Sequence, residues 1–215
     1  MTTAIANEVL APNMTFAELA SEGQIQRTAQ ALEANGMRTY IAHTGDEARR
    51  IVLGLLPEGA EVFTSVSKTL DSLGISTEID QSGRFKAIRS KLYELYQQNR
   101  TDEMRKLGAS PDFIIGSVHA ITEQGQVLVA SGTGSQLGPY TFGAGHVIWV
   151  VGAQKIVRDL DEGMRRINEY AYPLEDVRAR QVYGKPSRVN KVLLINGEGK
   201  PDRVSVILVR ENLGF

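Results

Sequence analysis

The chain has 215 residues, enough for one domain with a substantial core, and nothing in its composition demands two. Its 24 basic and 25 acidic residues leave a formal charge of -1, so it offers no overall electrostatic attraction to nucleic acid or to an anionic membrane. Cysteine is absent, which excludes disulfides, thiolate zinc sites and any iron-sulfur cluster held by this chain's own thiolates.

Residues 1–13 lack the basic start and apolar middle of a signal peptide, and they read as a mobile arm ahead of a single domain over 14–215. No apolar run approaches the roughly 20 residues that span a bilayer, so a soluble cytoplasmic protein is expected. Thr15-Phe-Ala-Glu18 has the pattern of a capping box and predicts a helix whose apolar stripe is Phe16, Leu19, Ala20, Ala29 and Leu32, ending at Asn35-Gly36. Thr44-Gly-Asp-Glu47 repeats the pattern ahead of Ala48, Ile51, Val52 and Leu55, between strands predicted at 39–42 and 61–64. Phe85, Ile88, Leu92, Leu95 and Tyr96 follow helical spacing, and a strand follows at 112–116.

Strands at 120–122 and 126–130 are separated by Glu123-Gln-Gly125, a turn that suits an antiparallel hairpin. His146–Val151 reads as a strand buried on both faces, and helices are expected over 161–170 and from Pro173, with Asp176, Arg178 and Arg180 exposed. The strands 189–195 and 204–209 are joined by the turn Asn196-Gly-Glu-Gly-Lys-Pro201. This alternation predicts an α/β fold with a largely parallel sheet flanked by helices and an inserted β-hairpin.

Three groups carry candidate chemistry. Glu123, at the hairpin turn, has the character of a nucleophile or general base, against the plainer reading of a solvated turn carboxylate. Ser131-Gly132-Thr133-Gly134-Ser135 supplies backbone amides and hydroxyls for an anion, although it is neither a Walker loop nor a dinucleotide fingerprint; the alternative is an ordinary loop. Ser65, Ser67, Lys68 and Thr69 follow a strand and open a helix, a position suited to a carboxylate or phosphate, or simply to capping by Ser67. His43, His119 and His146 have no metal-site spacing and read as structural. Trp149 reads as core. Lys155, after Gly152 at a strand end, suits a pocket edge but reads rather as solvated, and Arg158, Arg165 and Arg166 read as solvated among their acidic neighbours.

Several spaced motifs also resemble a known family. Ala120-Ile-Thr-Glu123-Gln-Gly125, the glycine-rich loop, the strand ending Gly152-Ala-Gln-Lys155-Ile-Val157, the Ser65–Leu70 turn and the tail Arg203–Phe215 together resemble the lactate-utilisation (LUD) domain family. The resemblance implies a modified Rossmann-like sheet shared with CoA transferases and sugar-phosphate isomerases. It implies a part in converting L-lactate to pyruvate beside iron-sulfur and oxidoreductase partners, as a non-redox subunit without a cofactor of its own. A small carboxylate, CoA ester or phosphate is the implied ligand. In CoA transferases a glutamate followed two positions later by glycine forms the acyl-enzyme link, and Glu123-x-Gly125 is similar. Where many relatives carry Asn and Arg in the glycine-rich loop, this chain has Thr133, Ser135 and Gln136. A stand-alone transferase-like or isomerase-like enzyme and a metabolite sensor remain alternatives, and self-association is left open.

Overall fold

The computed structural model describes residues 10–215. The arm expected at the N-terminus lies outside the described residues as far as residue 9. Asn13 is already docked: its backbone amide donates to the Glu169 carbonyl at 2.8 Å and its side chain to the Glu169 carboxylate at 2.9 Å.

The elements run α1 (Glu22–Ala34), β1 (Arg38–Ala42), α2 (Gly45–Gly54), β2 (Glu61–Thr64), α3 (Lys68–Ser72), α4 (Ile75–Gln81), β3 (Lys86–Ala87), α5 (Arg89–Gln97), α6 (Thr101–Ala109) and β4 (Phe113–Gly116). They continue with β5 (Ala120–Thr122), β6 (Val127–Ser131), β7 (His146–Gly152), β8 (Ile156–Val157), α7 (Leu160–Arg166), α8 (Tyr172–Tyr183), β9 (Lys191–Ile195) and β10 (Val204–Val209). The first predicted helix resolves into two pieces. Asn13 caps a single 3-10 turn over Met14–Ala17, and α1 starts afresh with a capping box between Ser21 and Gln24. Leu19, placed on the apolar stripe by its spacing, is exposed in the link between them. Thr44 does cap α2, accepting from the Glu47 amide at 3.2 Å.

Six strands form a sheet in the order β1-β10-β7-β4-β2-β3, and every pair in it is parallel. Period-2 alternation divides its central strands between two cores. Val147, Trp149 and Val151 of β7 join Val204, Val206 and Leu208 of β10 on the face covered by α1 and the second sheet. Ile148, Val150, Ile207 and Val209 face α2, α3 and α4. Such two-sided burial is why these strands read as unbroken apolar runs.

The hairpin is part of more than an insertion. Strands β5 and β6 pair antiparallel, β8 adds parallel to β5 and β9 antiparallel to β6, giving a second sheet in the order β8-β5-β6-β9. Helix α7 packs on it through Ile167, just past its end, against Ala120, Leu128 and Val157. Although a short turn joins β9 to β10, the two strands belong to different sheets. Among the described residues no helix is long and apolar enough to cross a membrane.

Leu208 is fully buried and paired to Ile41 on one side and Val151 on the other. Leu208→Ala should cost about 2–5 kcal/mol, read as a lower urea midpoint at unchanged slope.

Candidate functional site

Two neighbouring strands of the large sheet, β4 and β7, leave it at their carboxyl ends and re-enter as β5 and β8 of the small one. The crossovers, Ser117–His119 and Ala153–Lys155, form the seam between the sheets. This is the edge at which open parallel sheets bind ligands. Lys155 lies in this seam at 1% exposure, so the solvated lysine expected from its spacing is in fact a buried one. A single 3-10 turn over Ala153–Lys155 folds the chain back at the strand end and carries the side chain inward. Its Nζ donates to Thr69 Oγ1 and to Ser117 Oγ, both at 3.1 Å. Thr69 in turn donates to the Leu213 carbonyl at 3.0 Å, and that carbonyl also accepts from Gln154 Nε2 at 3.0 Å. The tail after β10 therefore covers the seam from one side, while the Met14–Ala17 turn packs on Ala153–Lys155.

A second basic side chain lies close by. Arg166 was read from its acidic neighbours as part of a solvated face, yet it is fully buried. Gly163, Arg166, Ile167 and Tyr170 are spaced i, i+3, i+4, i+7, and all are buried, so the helical period held the signal that the charge pattern obscured. Arg166 Nε donates to the Gln154 carbonyl at 3.2 Å, Nη1 donates to the His119 carbonyl, and the guanidinium lies 5.0 Å from the Tyr170 ring centre. Its Nη2 is buried with no hydrogen-bond partner among the described residues. Arg203, the other buried arginine, meets the Glu198 carboxylate at 2.6 Å. No such carboxylate reaches Lys155 or Arg166 among the described residues.

The electrostatics follow from that imbalance. Desolvation, with the nearby Arg166 charge, holds the Lys155 amine well below its ordinary value of 10.5. Desolvation draws Arg166 down to about 10, which leaves it a cation at neutral pH. His119 is pushed down to about 3 by desolvation and then by the Lys155 and Arg166 charges. Its Nδ1 accepts from the Ala130 amide at 3.1 Å, so the neutral ring carries its proton on Nε2.

The sequence-derived candidates fall into three places. Ser65 and Thr69 are buried at the seam, Ser65 within 3.2 Å of the Tyr140 hydroxyl. Ser67 caps α3 by accepting from the Leu70 amide, and Lys68 points outward as an exposed side chain. Glu123 lies at the far end of β5, where its carboxylate takes both Nε and Nη2 of Arg27, at 3.0 and 2.8 Å, and Nε2 of Gln24 at 3.0 Å. Desolvation raises the Glu123 pKa, but hydrogen bonds from Arg27 and Gln24 outweigh it and leave the group lowered. Gly125 has a φ of +76° and lies so close to the Ala31–Leu32 backbone that a side chain would not fit, while Asn35 binds the Gln124 carbonyl at 2.9 Å. The Glu123-Gln-Gly125 turn is thus clamped onto α1.

Gly132, Thr133, Gly134 and Ser135 lie at the opposite end of β6, separated from Glu123 by the length of that strand, about 15 Å. That loop satisfies itself, with the Gly134 amide donating to Ser131 Oγ at 2.8 Å and Asn190 binding the Gly132 carbonyl at 3.0 Å. Glu123 and the glycine-rich loop therefore share no pocket. Asp176, expected on an exposed face, is buried and receives Arg180 at 2.8 Å and the Ser187 amide at 2.7 Å. An open groove of about 400 Å³ lies at the other, amino end of the strands, lined by Pro57, Glu58, Phe113 and His146. It gathers no cluster of buried donors, so the seam is the better candidate.

A family model of the LUD domain matches residues 25–209. The chain belongs to the LUD-domain family. The family is associated with lactate utilisation, in agreement with the motifs read from the sequence. Among solved structures the chain resembles a DUF162 family protein from Deinococcus radiodurans, with a TM-score of 0.51 and 13% identity over 89% of this chain and 99% of that one. At that identity the likeness speaks for the fold alone, and DUF162 and LUD denote the same family. No curated protein matches the chain at a significant level.

In this LUD domain the burial of Lys155 has a measurable signature. Between its lowered pKa and 10.5 the unfolded chain binds more protons at Lys155 than the folded one, so stability rises with pH across that window and the full cost is present below it. Lys155→Met should be at least as stable as the parent chain at neutral pH, and its stability should be flatter as the pH rises toward 10.5. Urea midpoints across that range read the difference; a variant that is less stable with an unchanged slope would show that the amine is not desolvated. The tail has its own test. Gly214 has a φ of +62°, and a Cβ there would meet Thr69 Oγ1 at 2.5 Å. Gly214→Ala should therefore weaken the tail by at least about 1 kcal/mol, read as faster hydrogen exchange of the Ala153 amide, which donates to Glu211.

Proposed function

We propose that this LUD-domain chain is a small-carboxylate-binding, non-redox component of L-lactate to pyruvate metabolism, with its site at the seam of the two sheets. The observation that carries the reading is the buried Arg166 cation beside the buried Lys155 amine, neither of them met by a carboxylate at the carboxyl edge of the central strands. A buried charge without a counterion is costly, and an anion that enters the seam repays that cost. Arg166 Nη2, without a partner, is a free donor for such an anion. The Leu213 carbonyl already draws two donors, Thr69 Oγ1 and Gln154 Nε2. A carboxylate oxygen is the stronger acceptor of the same two bonds, so ligand and tail compete for one position.

On this reading Ser65 and Thr69 belong to the binding edge, while Ser67 and Lys68 serve α3 and the surface. The Glu123-Gln-Gly125 turn acts as a clasp on α1, which disfavours the acyl-transfer alternative because the carboxylate is engaged by Arg27 and Gln24. A chain without cysteine holds no iron-sulfur cluster by its own thiolates, so redox work falls to iron-sulfur and oxidoreductase partners. A pull-down from the native host tests that half of the reading: recovery of an iron-sulfur protein supports it, and recovery of the chain alone under mild conditions counts against it.

The site itself is tested by thermal shift and calorimetry with L-lactate, pyruvate, acetyl-CoA and inorganic phosphate. Saturating monocarboxylate at about 100 times its Kd should add about 2.7 kcal/mol of stability. Lys155→Met should lose that stabilisation, and Arg166→Lys should weaken affinity about tenfold, since the free Nη2 donor is lost. Glu123→Ala should lower the melting temperature and leave binding intact. Binding that disappears with Glu123 and survives without Lys155 would overturn this assignment in favour of the hairpin turn.

A further inference from the structure

The seam does more than offer positive charge, because its lysine is poised as an amine. Nζ of Lys155 has two hydrogen-bond partners, Thr69 Oγ1 and Ser117 Oγ, and no third among the described residues. Thr69 spends its own proton on the Leu213 carbonyl, so at Nζ it is an acceptor. Two acceptors match the two hydrogens of an –NH2 group and leave the nitrogen lone pair unused. An ammonium here would instead hold a third N–H with no acceptor and a charge with no counterion. The same seam carries Arg166, whose charge reaches Lys155 and whose Nη2 is unpartnered. An amine selects a carbonyl and a guanidinium selects a carboxylate, and the small molecule that presents both on adjacent carbons is a 2-oxo acid.

We infer that Lys155 captures a 2-oxo acid covalently, as a reversible Schiff base, with Arg166 receiving the acid's carboxylate. The inference rests on the seam being the carboxylate site proposed above and adds a reaction to it. The Lys155 lone pair attacks the C2 carbonyl, the C–N bond forms, and the carbonyl electrons pass to oxygen. One amine proton moves to that oxygen to give the carbinolamine. The second leaves with the hydroxyl as water when the C=N bond closes, so no oxidant or reductant is needed. Hydrolysis reverses every step. The Ser117 hydroxyl, 3.1 Å from Nζ, is placed to relay a proton between nitrogen and oxygen. A 2-hydroxy acid presents the same carboxylate but no carbonyl, so it binds without forming the bond. The site therefore tells the oxidised acid from the reduced one by chemistry rather than by shape.

The test is reductive trapping on the intact chain. Protein is incubated with pyruvate and borohydride, then read by intact mass and by peptide mapping, with L-lactate and acetone as parallel probes and pyruvate binding measured by calorimetry. The expected result is a single reduced adduct that maps to Lys155 with pyruvate, none with L-lactate, and a much smaller yield with acetone, which lacks the carboxylate. Lys155→Met should lose that adduct. Because mapping reads the unsubstituted chain, the result does not depend on the variant folding. Adducts confined to exposed lysines such as Lys68 and Lys191, or absent altogether while calorimetry still shows pyruvate bound, overturn the covalent step and leave the carboxylate site standing. Acetone trapping at Lys155 equal to that of pyruvate overturns the role given to Arg166. If pyruvate neither binds nor is trapped, both the capture and the site reading fail.

Discussion

The insertion of β10 between β1 and β7 is the constraint on which the rest of the structure depends. All six of its residues are buried, and each side of it is a parallel ladder, running from Arg38–Ser205 to Ala42–Val209 on one edge and from Val204–Val147 to Val209–Gly152 on the other. The sheet is therefore incomplete until the last strand in the sequence meets the first. Closure over such a span costs little more entropy than over a shorter one, because the cost grows only with the logarithm of loop length. It does place the decisive contacts among the least local in the chain, which slows folding more than it weakens the fold. Two consequences reach the site. Arg210, the residue after β10, pairs with Glu22 and so ties α1 to the sheet. The tail then runs directly across the carboxyl edge, where Leu213 meets Thr69 and Gln154.

The second organising fact is a charge imbalance in an otherwise balanced chain. Glu198 answers Arg203, Asp176 answers Arg180 and Glu123 answers Arg27. Lys155 and Arg166 receive only hydroxyls, carbonyls and a ring face. Dipoles of that kind offset part of the desolvation of the Arg166 cation but do not neutralise it, and its charge adds to the burial that disfavours protonation of Lys155. Folds keep such arrangements where binding or chemistry requires them, at the expense of stability.

The strands were legible because their composition reports burial directly. β7 and β10 are continuous apolar runs, which only a central parallel position explains, and the Glu123-Gln-Gly125 turn announced its hairpin. What the sequence could not reveal was the company β9 keeps. Its residues are all exposed or half-buried, the mark of an edge, and the turn to β10 invites a hairpin; instead the different burial of the two strands sends them to different sheets. The charge pattern around Arg166 points to a solvated face, but on α7 the helical period decides which of Arg165 and Arg166 turns inward. For Lys155 the local signal, a lysine after a glycine at a strand end, suits a pocket edge or solvent alike and does not show burial. Its burial follows from two crossovers far apart in sequence meeting at one edge, a property of topology that no window of residues contains.

The clasp at Glu123 and the amine at Lys155 lie at opposite ends of one short structural unit. β8 begins at the residue after Lys155, and its last carbonyl, on Val157, accepts from the Glu123 amide at 2.9 Å. With Arg27 and Gln24 holding Glu123 to α1, the pairing of β5 with β8 is fixed at its distal end, and the crossover that carries Lys155 is fixed with it. Glu123 thus steadies the distal end of that unit and makes no contact with the seam. The tail acts from the other side. While Leu213 occupies its two donors, water is kept from the amine and the neutral form is favoured. A tail displaced from that position would admit solvent, raise the local dielectric and favour protonation of Lys155. On the proposed reading, admission of a ligand and activation of the amine would draw on opposite positions of the same few residues, and a carboxylate in place of the Leu213 carbonyl would satisfy both.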